Sequence, residues 1–294
     1  MPALDTAGEF LARSLAGSNG EMSESTEHDA SSNPTQTRNI IIFGETGAGK
    51  SALINLIIGE TVARASSNAQ GCTLDTADYP FTLAQHHFKL YDTVGLNEPR
   101  IGKTSYLVAI EKAYELVTNL TRRGGIHLLV FCIRGGRITT TTEQNYCLFN
   151  EFLCRRAVPV ALVITGLELE DHMEDWWARN EEALRGFGIK SVAHACVTAT
   201  LGVERTHVRK YEDSRKKLFE LLEEHGTGKA FAQERIGWIA RIMKDLRGLL
   251  TKRQAKKPSH KEMVRILRKR CGLPEDAAAM LVQKLREIDL EAGS

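Results

Sequence analysis

Eight residues set the chemistry of this chain. Gly44-Glu45-Thr46-Gly47-Ala48-Gly49-Lys50-Ser51 carry the spacing G-x-x-x-x-G-K-S. Glycines so placed let the backbone curl until successive N–H groups point inward, the arrangement that cradles a phosphate. The apolar segment that starts at Ala52 can form a helix, and its N-terminal end adds positive potential at the same point. Lys50 would reach the β- and γ-phosphates, and the Ser51 hydroxyl would take one Mg²⁺ position. The candidate phosphate-binding set is therefore Gly44, Glu45, Thr46, Gly47, Ala48, Gly49, Lys50, Ser51 and Ala52. An ordinary glycine-rich turn needs no flanking elements, but here Ile40-Ile41-Ile42-Phe43 reads as a strand and Ala52 to Ile58 as a helix. The pattern thus stands in the strand–loop–helix context that nucleoside triphosphate binding requires.

A second group follows 41 residues after Ser51. Asp92-Thr93-Val94-Gly95 closes an apolar run. An aspartate at such a strand end can hold Mg²⁺ through water, and a glycine N–H can approach a γ-phosphate unhindered by a side chain. Between the two groups, Thr73 lies in a polar stretch and would complete the Mg²⁺ shell, with Thr76 as its rival. Lys50, Thr73 and Gly95 are the candidates for stabilising transferred charge. Ser51, Thr73 and Asp92 are the candidates for the metal.

These groups need a scaffold, and the rest of the chain supplies its pattern. Strands are expected over Tyr79 to Leu83, His87 to Tyr91, Ile126 to Ile133, Val158 to Thr165 and Val192 to Thr198. Helices are expected over Thr104 to Leu120, Thr142 to Cys154, Trp176 to Leu184 and Tyr211 to Leu222. The continuous apolar runs are those of strands buried on both faces. The alternation implies an α/β fold with three layers, α/β/α, around a mostly parallel sheet, a P-loop NTPase architecture with a C-terminal helical extension.

We read three regions: an acidic, Ser-rich, disordered tail at 1–36, a nucleotide-binding domain at 37–225 and a basic helical extension at 226–294. Their net charges explain the division. The chain carries +2 overall, but the first region carries −5 and the last +8. The extension would hold helices over Phe231 to Leu250, Glu262 to Arg270 and Pro274 to Ile288. Its apolar stripes could pack on the domain, lie on an anionic membrane surface or meet a partner helix. Arg265, Arg268, Lys269 and Arg270 lack the aromatic interleaving of a nucleic-acid surface, so no such partner is expected.

In 294 residues with 42% apolar content, no run approaches the ~20 apolar residues of a membrane span. The six cysteines show no C-x-x-C spacing, and the first residues lack the layout of a secretory signal. Both point to a reducing, cytoplasmic setting, with peripheral membrane contact through the basic end as an option.

The sequence G-E-T-G-A-G-K-S, a loop threonine and Asp92-Thr93-Val94-Gly95-Leu96 together resemble the translation-factor-related GTPases. Within that class they are most similar to the septin-like branch that contains the AIG1, GIMAP and Toc families. The stretch Ile133-Arg134-Gly135-Gly136-Arg137-Ile138-Thr139 resembles the G-R-[FIY]-T box of that branch. The resemblance covers residues 38–225. It implies Mg²⁺-dependent binding of GTP and GDP, slow hydrolysis and nucleotide-gated pairing of two G domains in a homodimer.

Two departures qualify it. Where [NT]-K-x-D would read guanine, the chain has Thr165-Gly166-Leu167-Glu168, which keeps a carboxylate but lacks the lysine. Thr198-Ala199-Thr200 is the candidate for the second base-contacting loop. Leu96 stands where Ras-like enzymes place the glutamine that orients water. The trigger would then come from elsewhere, from an arginine of a second copy such as Arg100 or Arg137, or from a loop hydroxyl. A GTP-binding scaffold with little turnover is the first alternative, and a P-loop ATPase or kinase the second.

Overall fold

The computed structural model describes residues 36–63, 77–93, 103–232 and 259–291. Six strands form one sheet in the order β2-β3-β1-β4-β5-β6. They are β1 (Arg38–Phe43), β2 (Asp78–Leu83), β3 (His86–Asp92), β4 (Leu128–Arg134), β5 (Val160–Thr165) and β6 (Ala193–Cys196). Every pairing is parallel except the β2–β3 hairpin, which runs antiparallel along one edge. Pro80 sits in β2, an edge position where a missing N–H costs little.

The helices are α1 (Lys50–Ile58), α2 (Lys103–Arg122), α3 (Thr140–Tyr146), α4 (Glu174–Gly186), α5 (Val208–His225), α6 (His260–Cys271) and α7 (Glu275–Glu291). α3 continues as a π-helix over Cys147–Leu153. Thus the segment expected as one helix from Thr142 to Cys154 changes its winding halfway.

Alternation along β1 shows why both faces of the sheet are apolar. Ile41 and Phe43 join Leu129, Phe131 and Leu162 in one core. Ile40 and Ile42 join Leu128, Val130, Val163 and the α1 residues Leu53 and Ile57 in the other. Side chains that alternate across a strand can serve two cores only if both faces are covered, hence the three layers. Phe43 stacks between Phe131 and Phe149, with ring centroids 4.7 and 4.5 Å away.

The basic helices at the end do not stand apart. Met263, Ile266 and Leu267 of α6 and Ala278 and Val282 of α7 belong to the same core as Ile41 and Phe43. Ser259 caps α6 in a reciprocal box with Glu262: Ser259 N–H donates to Glu262 Oε2 at 2.7 Å, and Glu262 N–H to Ser259 Oγ at 3.3 Å. From the charge run, Arg270 pairs with Glu151 at 3.0 Å and Arg268 with Glu275 at 2.9 Å. α6 and α7 thus share one core with β1 and β4, beyond the boundary expected at residue 225. Phe231, expected to open a helix, instead exchanges backbone hydrogen bonds with Ile126 at 2.9 and 2.7 Å. The remainder of that expected helix, like the tail at 1–35, lies outside the described residues. No helix among the described residues is long and apolar enough to cross a membrane.

At the opposite end of the sheet from the loop, His127 is fully buried. Its Nδ1 accepts from Asn39 N–H at 3.0 Å, which puts the ring proton on Nε2, where no partner is present among the described residues. Burial, aided by the nearby Arg38 charge, pushes its pKa down to about 4. The neutral ring therefore contributes stability that is complete above about pH 6.5 and is lost as pH falls toward 4. We expect the unfolding free energy to drop by about 2–3 kcal/mol over that window, and a His127→Gln variant to show a flatter slope, as read by urea titration at stepped pH.

Candidate functional site

β1 ends at the centre of the sheet, and the glycine-spaced loop turns there into α1. Gly44, Gly47 and Gly49 all take positive φ, at 150°, 78° and 89°. Two of them are also pressed against the sheet. A Cβ on Gly44 would run into the Cys132 carbonyl, and one on Gly49 would lie 2.9 Å from the Thr165 hydroxyl. The loop is thus seated on the ends of β4 and β5, and only glycine permits the approach. Two side chains fasten it from below. Cys132 Sγ–H and Thr165 Oγ–H both donate to the Ala48 carbonyl, at 2.9 and 2.7 Å. Burial pushes the Cys132 thiol up to about 12, so it serves as a packed donor and not as a nucleophile.

Lys50 opens α1 and is 9% exposed. Its ammonium folds back across the loop and donates to the carbonyls of Gly44 and Glu45, at 3.1 and 3.0 Å. Next to it, Ser51 Oγ–H donates to Asp92 Oδ2 at 3.4 Å. Asp92 reaches this point because β3 runs parallel to β1 with Ile42 opposite Asp92. Its other oxygen, Oδ1, is buried without a partner among the described residues. Burial raises the Asp92 pKa, and the Lys50 charge and the Ser51 hydrogen bond offset part of that rise. A folded-state pKa above the unfolded one means that ionisation at neutral pH works against folding. Asp92→Asn should therefore raise the stability of the nucleotide-free chain, by about 1 kcal/mol. Its nucleotide affinity should lose any dependence on Mg²⁺, measurable by GDP titration with and without the metal.

Glu45 is held from a third direction, since Thr142 Oγ–H donates to its Oε1 at 2.8 Å. Thr142 and Thr139 form the capping box that starts α3. The spacing Thr139-x-x-Thr142 signals such a cap in the sequence, but nothing local points it at Glu45. Thr46 and Gly47 remain exposed at the crown of the loop. Beside them opens a cavity of about 270 Å³ lined by Glu45, Thr46, Gly47, Arg134, Arg137 and Thr139. Arg134 and Arg137 are exposed on its wall.

On the other flank lie the segments suited to a base. Glu168 follows β5 and is half-buried, with its backbone carbonyl taken by Lys210 Nζ at 2.9 Å. Thr198 is fully buried. Its N–H donates to Ser214 Oγ at 2.8 Å, and its hydroxyl to Met173 Sδ at 3.3 Å. The face that this loop leaves open belongs to Ala199 and Thr200. The structure thus gathers Gly44 through Ala52, Asp92 and Thr165 at one end of the sheet, with Glu168 and Thr198 at the neighbouring strand exits. Thr73, Gly95, Thr76, Leu96 and Arg100 lie outside the described residues. Cys132, Thr142, Lys210 and Ser214 act on the site without any sequence motif to announce them.

Part of the chain resembles known proteins. A family model described as 50S ribosome-binding GTPase matches residues 39–165. GTPase Der of Mycoplasma mycoides is 23% identical over 175 residues, covering 59% of this chain and 38% of its own. The Immune-associated nucleotide-binding protein 7 of Arabidopsis thaliana is 29% identical over 153 residues, covering 49% of this chain and 47% of its own. The chain therefore spans less than half the length of these curated relatives. Among solved structures, Toc33 from Arabidopsis thaliana in complex with GDP and Mg²⁺ aligns at a TM-score of 0.43 with 17% identity, over 56% of this chain and 72% of that one. With the glycine loop at the head of the central strand of a mostly parallel sheet, the chain has the fold of a G-domain P-loop NTPase.

Proposed function

We propose that the chain is a Mg²⁺-dependent guanine-nucleotide-binding protein of the septin-like branch, with slow intrinsic GTP hydrolysis. It would act as a GTP/GDP-gated switch through contact between the G domains of two copies. The observation that carries this reading is the Lys50, Ser51 and Asp92 constellation. A cation lies folded over the loop, and a hydroxyl points at a half-buried carboxylate whose second oxygen is buried with no partner among the described residues. Such oxygen donors fit Mg²⁺, which prefers few protein ligands and keeps its waters. Ser51 and Asp92 would hold the metal, with Thr73 as the candidate for the remaining position. When bound, the metal would neutralise charge on the β- and γ-phosphates.

Leu96 supports slow hydrolysis, because a leucine cannot orient water. Arg137 stands exposed beside the crown of the loop, where it could be offered to a second copy. An arginine supplied in this way is worth about 10³–10⁵ in rate. The apolar side of α6, and that of α7 as far as Val282, is spent on the core, so among the described side chains these helices would offer a partner or an anionic surface their charged sides. A reducing, cytoplasmic setting would suit the five buried cysteines that carry no disulfide among the described residues.

The test is nucleotide affinity and solution mass with GDP and with a non-hydrolysable GTP analogue, alongside ATP competition. GTP preferred over ATP, with a larger mass in the analogue, is the expected result. A preference for ATP would sink the reading. Turnover per molecule should climb with protein concentration. A flat, near-zero rate would favour the second reading, a GTP-binding scaffold, which the leucine at 96 also supports.

A further inference from the structure

The loop after β5 lacks the lysine that the guanine-reading motif ordinarily holds, and the structure accounts for the gap. The position falls on Gly166, whose φ is +76°, in the region that side-chain-bearing residues avoid. A Cβ there would meet the Arg134 side chain, 3.1 Å from its Cγ and 3.3 Å from its Nε. The stem of Arg134 occupies the space into which a side chain at 166 would grow. A lysine at that position would sit on a strained backbone and would have to displace Arg134.

Another lysine arrives from elsewhere in the fold. Lys210 on α5 donates its ammonium protons to the carbonyls of Glu168 and of Glu170, fixing both ends of a three-residue turn. A charged donor bound to two carbonyls is a strong anchor. Arg179 adds a third tie, an ion pair with the Glu170 carboxylate at 2.6 Å. One turn further along α5, on the same face, Ser214 Oγ accepts from Thr198 N–H at 2.8 Å and donates to the Lys210 carbonyl at 2.5 Å. One face of α5 therefore holds the exits of both β5 and β6. Thr198 Oγ–H also reaches Met173 Sδ, at the start of α4.

The Glu168 carboxylate, by contrast, makes no ion pair among the described residues. Glutamate has one more rotatable bond than the usual aspartate, so more side-chain entropy is lost when it accepts from a base. Its usefulness then depends on how firmly its backbone is fixed. We infer that Lys210 is a positioning residue for guanine selection: it clamps the Glu168–Glu170 turn from α5, so that the Glu168 carboxylate meets the N1–H and exocyclic amine of a guanine. This rests on the guanine reading proposed above.

The test compares GDP, IDP and ADP binding to the full chain and to Lys210→Met, Lys210→Gln and Lys210→Arg. IDP lacks the exocyclic amine and so isolates that contact. In Lys210→Met the GDP-to-IDP affinity ratio should fall about tenfold, with ADP binding unchanged. Lys210→Arg, which keeps a charged donor, should retain most of the ratio, and Lys210→Gln should fall between. If Lys210→Met does not fold, Lys210→Gln against Lys210→Arg carries the comparison. A wild-type chain that prefers GDP, with a ratio unmoved by loss of the lysine, overturns the inference and leaves the guanine reading intact. A wild-type chain that does not separate GDP from ADP removes the guanine reading, and the inference with it. In a double-mutant cycle with Glu168→Gln, the two losses should be non-additive, because the lysine acts through that carboxylate. Additive losses would overturn the positioning role.

Discussion

Replacing Lys50 by alanine should lower the affinity for GDP and GTP by at least about 100-fold, equivalent to roughly 2.7 kcal/mol, while the sheet stays folded. The ammonium is placed before any nucleotide arrives, held by the Gly44 and Glu45 carbonyls at 3.1 and 3.0 Å. It therefore spends little ordering entropy when phosphate oxygens bind. Hydrogen bonds to a charged group are worth about 1.5–3 kcal/mol each, so losing contacts to two phosphates reaches the stated size. The fold survives because the β1 and α1 cores do not depend on the ammonium, and the loop keeps its fastening from Cys132 and Thr165. A secondary effect follows at Asp92. Without the nearby cation its carboxyl rises further, so Mg²⁺ dependence moves to higher pH. Calorimetric titration and thermal unfolding check both parts. GDP affinity unchanged in the variant would show that this loop is not a phosphate site.

Leu267→Ala should cost about 3 kcal/mol of stability, and the loss should be felt in the middle of the sheet. Leu267 is fully buried. It belongs to the core that contains Ile41, Phe43 and Phe131. Large-to-small changes at such sites cost about 2–5 kcal/mol, through lost transfer energy and the cavity left behind. α6 is tied to the π-helix by Arg270 and Glu151, and the turn after it packs against α3, where Gln144 crowds Gly272. Urea denaturation should show a lower midpoint with an unchanged slope, and hydrogen exchange of the β1 amides should quicken. Exchange in β1 that does not change would mean that α6 and α7 unfold as an independent appendage.

A chain division at 225 is the natural reading of the sequence alone. Charge and composition change there, and a run of basic residues looks like a separate tail. Composition, however, does not show where an apolar stripe finds its partner. The stripe of α6 was legible as a helix, and its Ser259–Glu262 cap and Gly272 stop are local signals. Its docking on α3 is a contact across more than a hundred residues. For the same reason the strand ends moved by a residue or two. Ile126 and His127 are apolar enough to extend β4, yet their backbone groups go to Phe231 and Asn39.

The sequence by itself determined the phosphate loop, its flanking strand and helix, the carboxylate at the end of β3 and the doubly covered sheet. Each rests on adjacent residues or on a repeating period, so physics at short range suffices: glycines for positive φ, alternating or continuous apolar runs for strands, caps for helices. Only the tertiary structure decided what fastens that machinery. Thr142 meets Glu45 from 97 residues away, Thr165 meets Ala48 from 117, and Lys210 meets Glu168 from 42. Hydroxyls and amines occur all along a chain, and which of them come within 3 Å of a given carbonyl depends on the packing of whole layers. That packing, not any motif, joins the helices at 260–291 to the core behind the loop and brings α5 to the exits of β5 and β6.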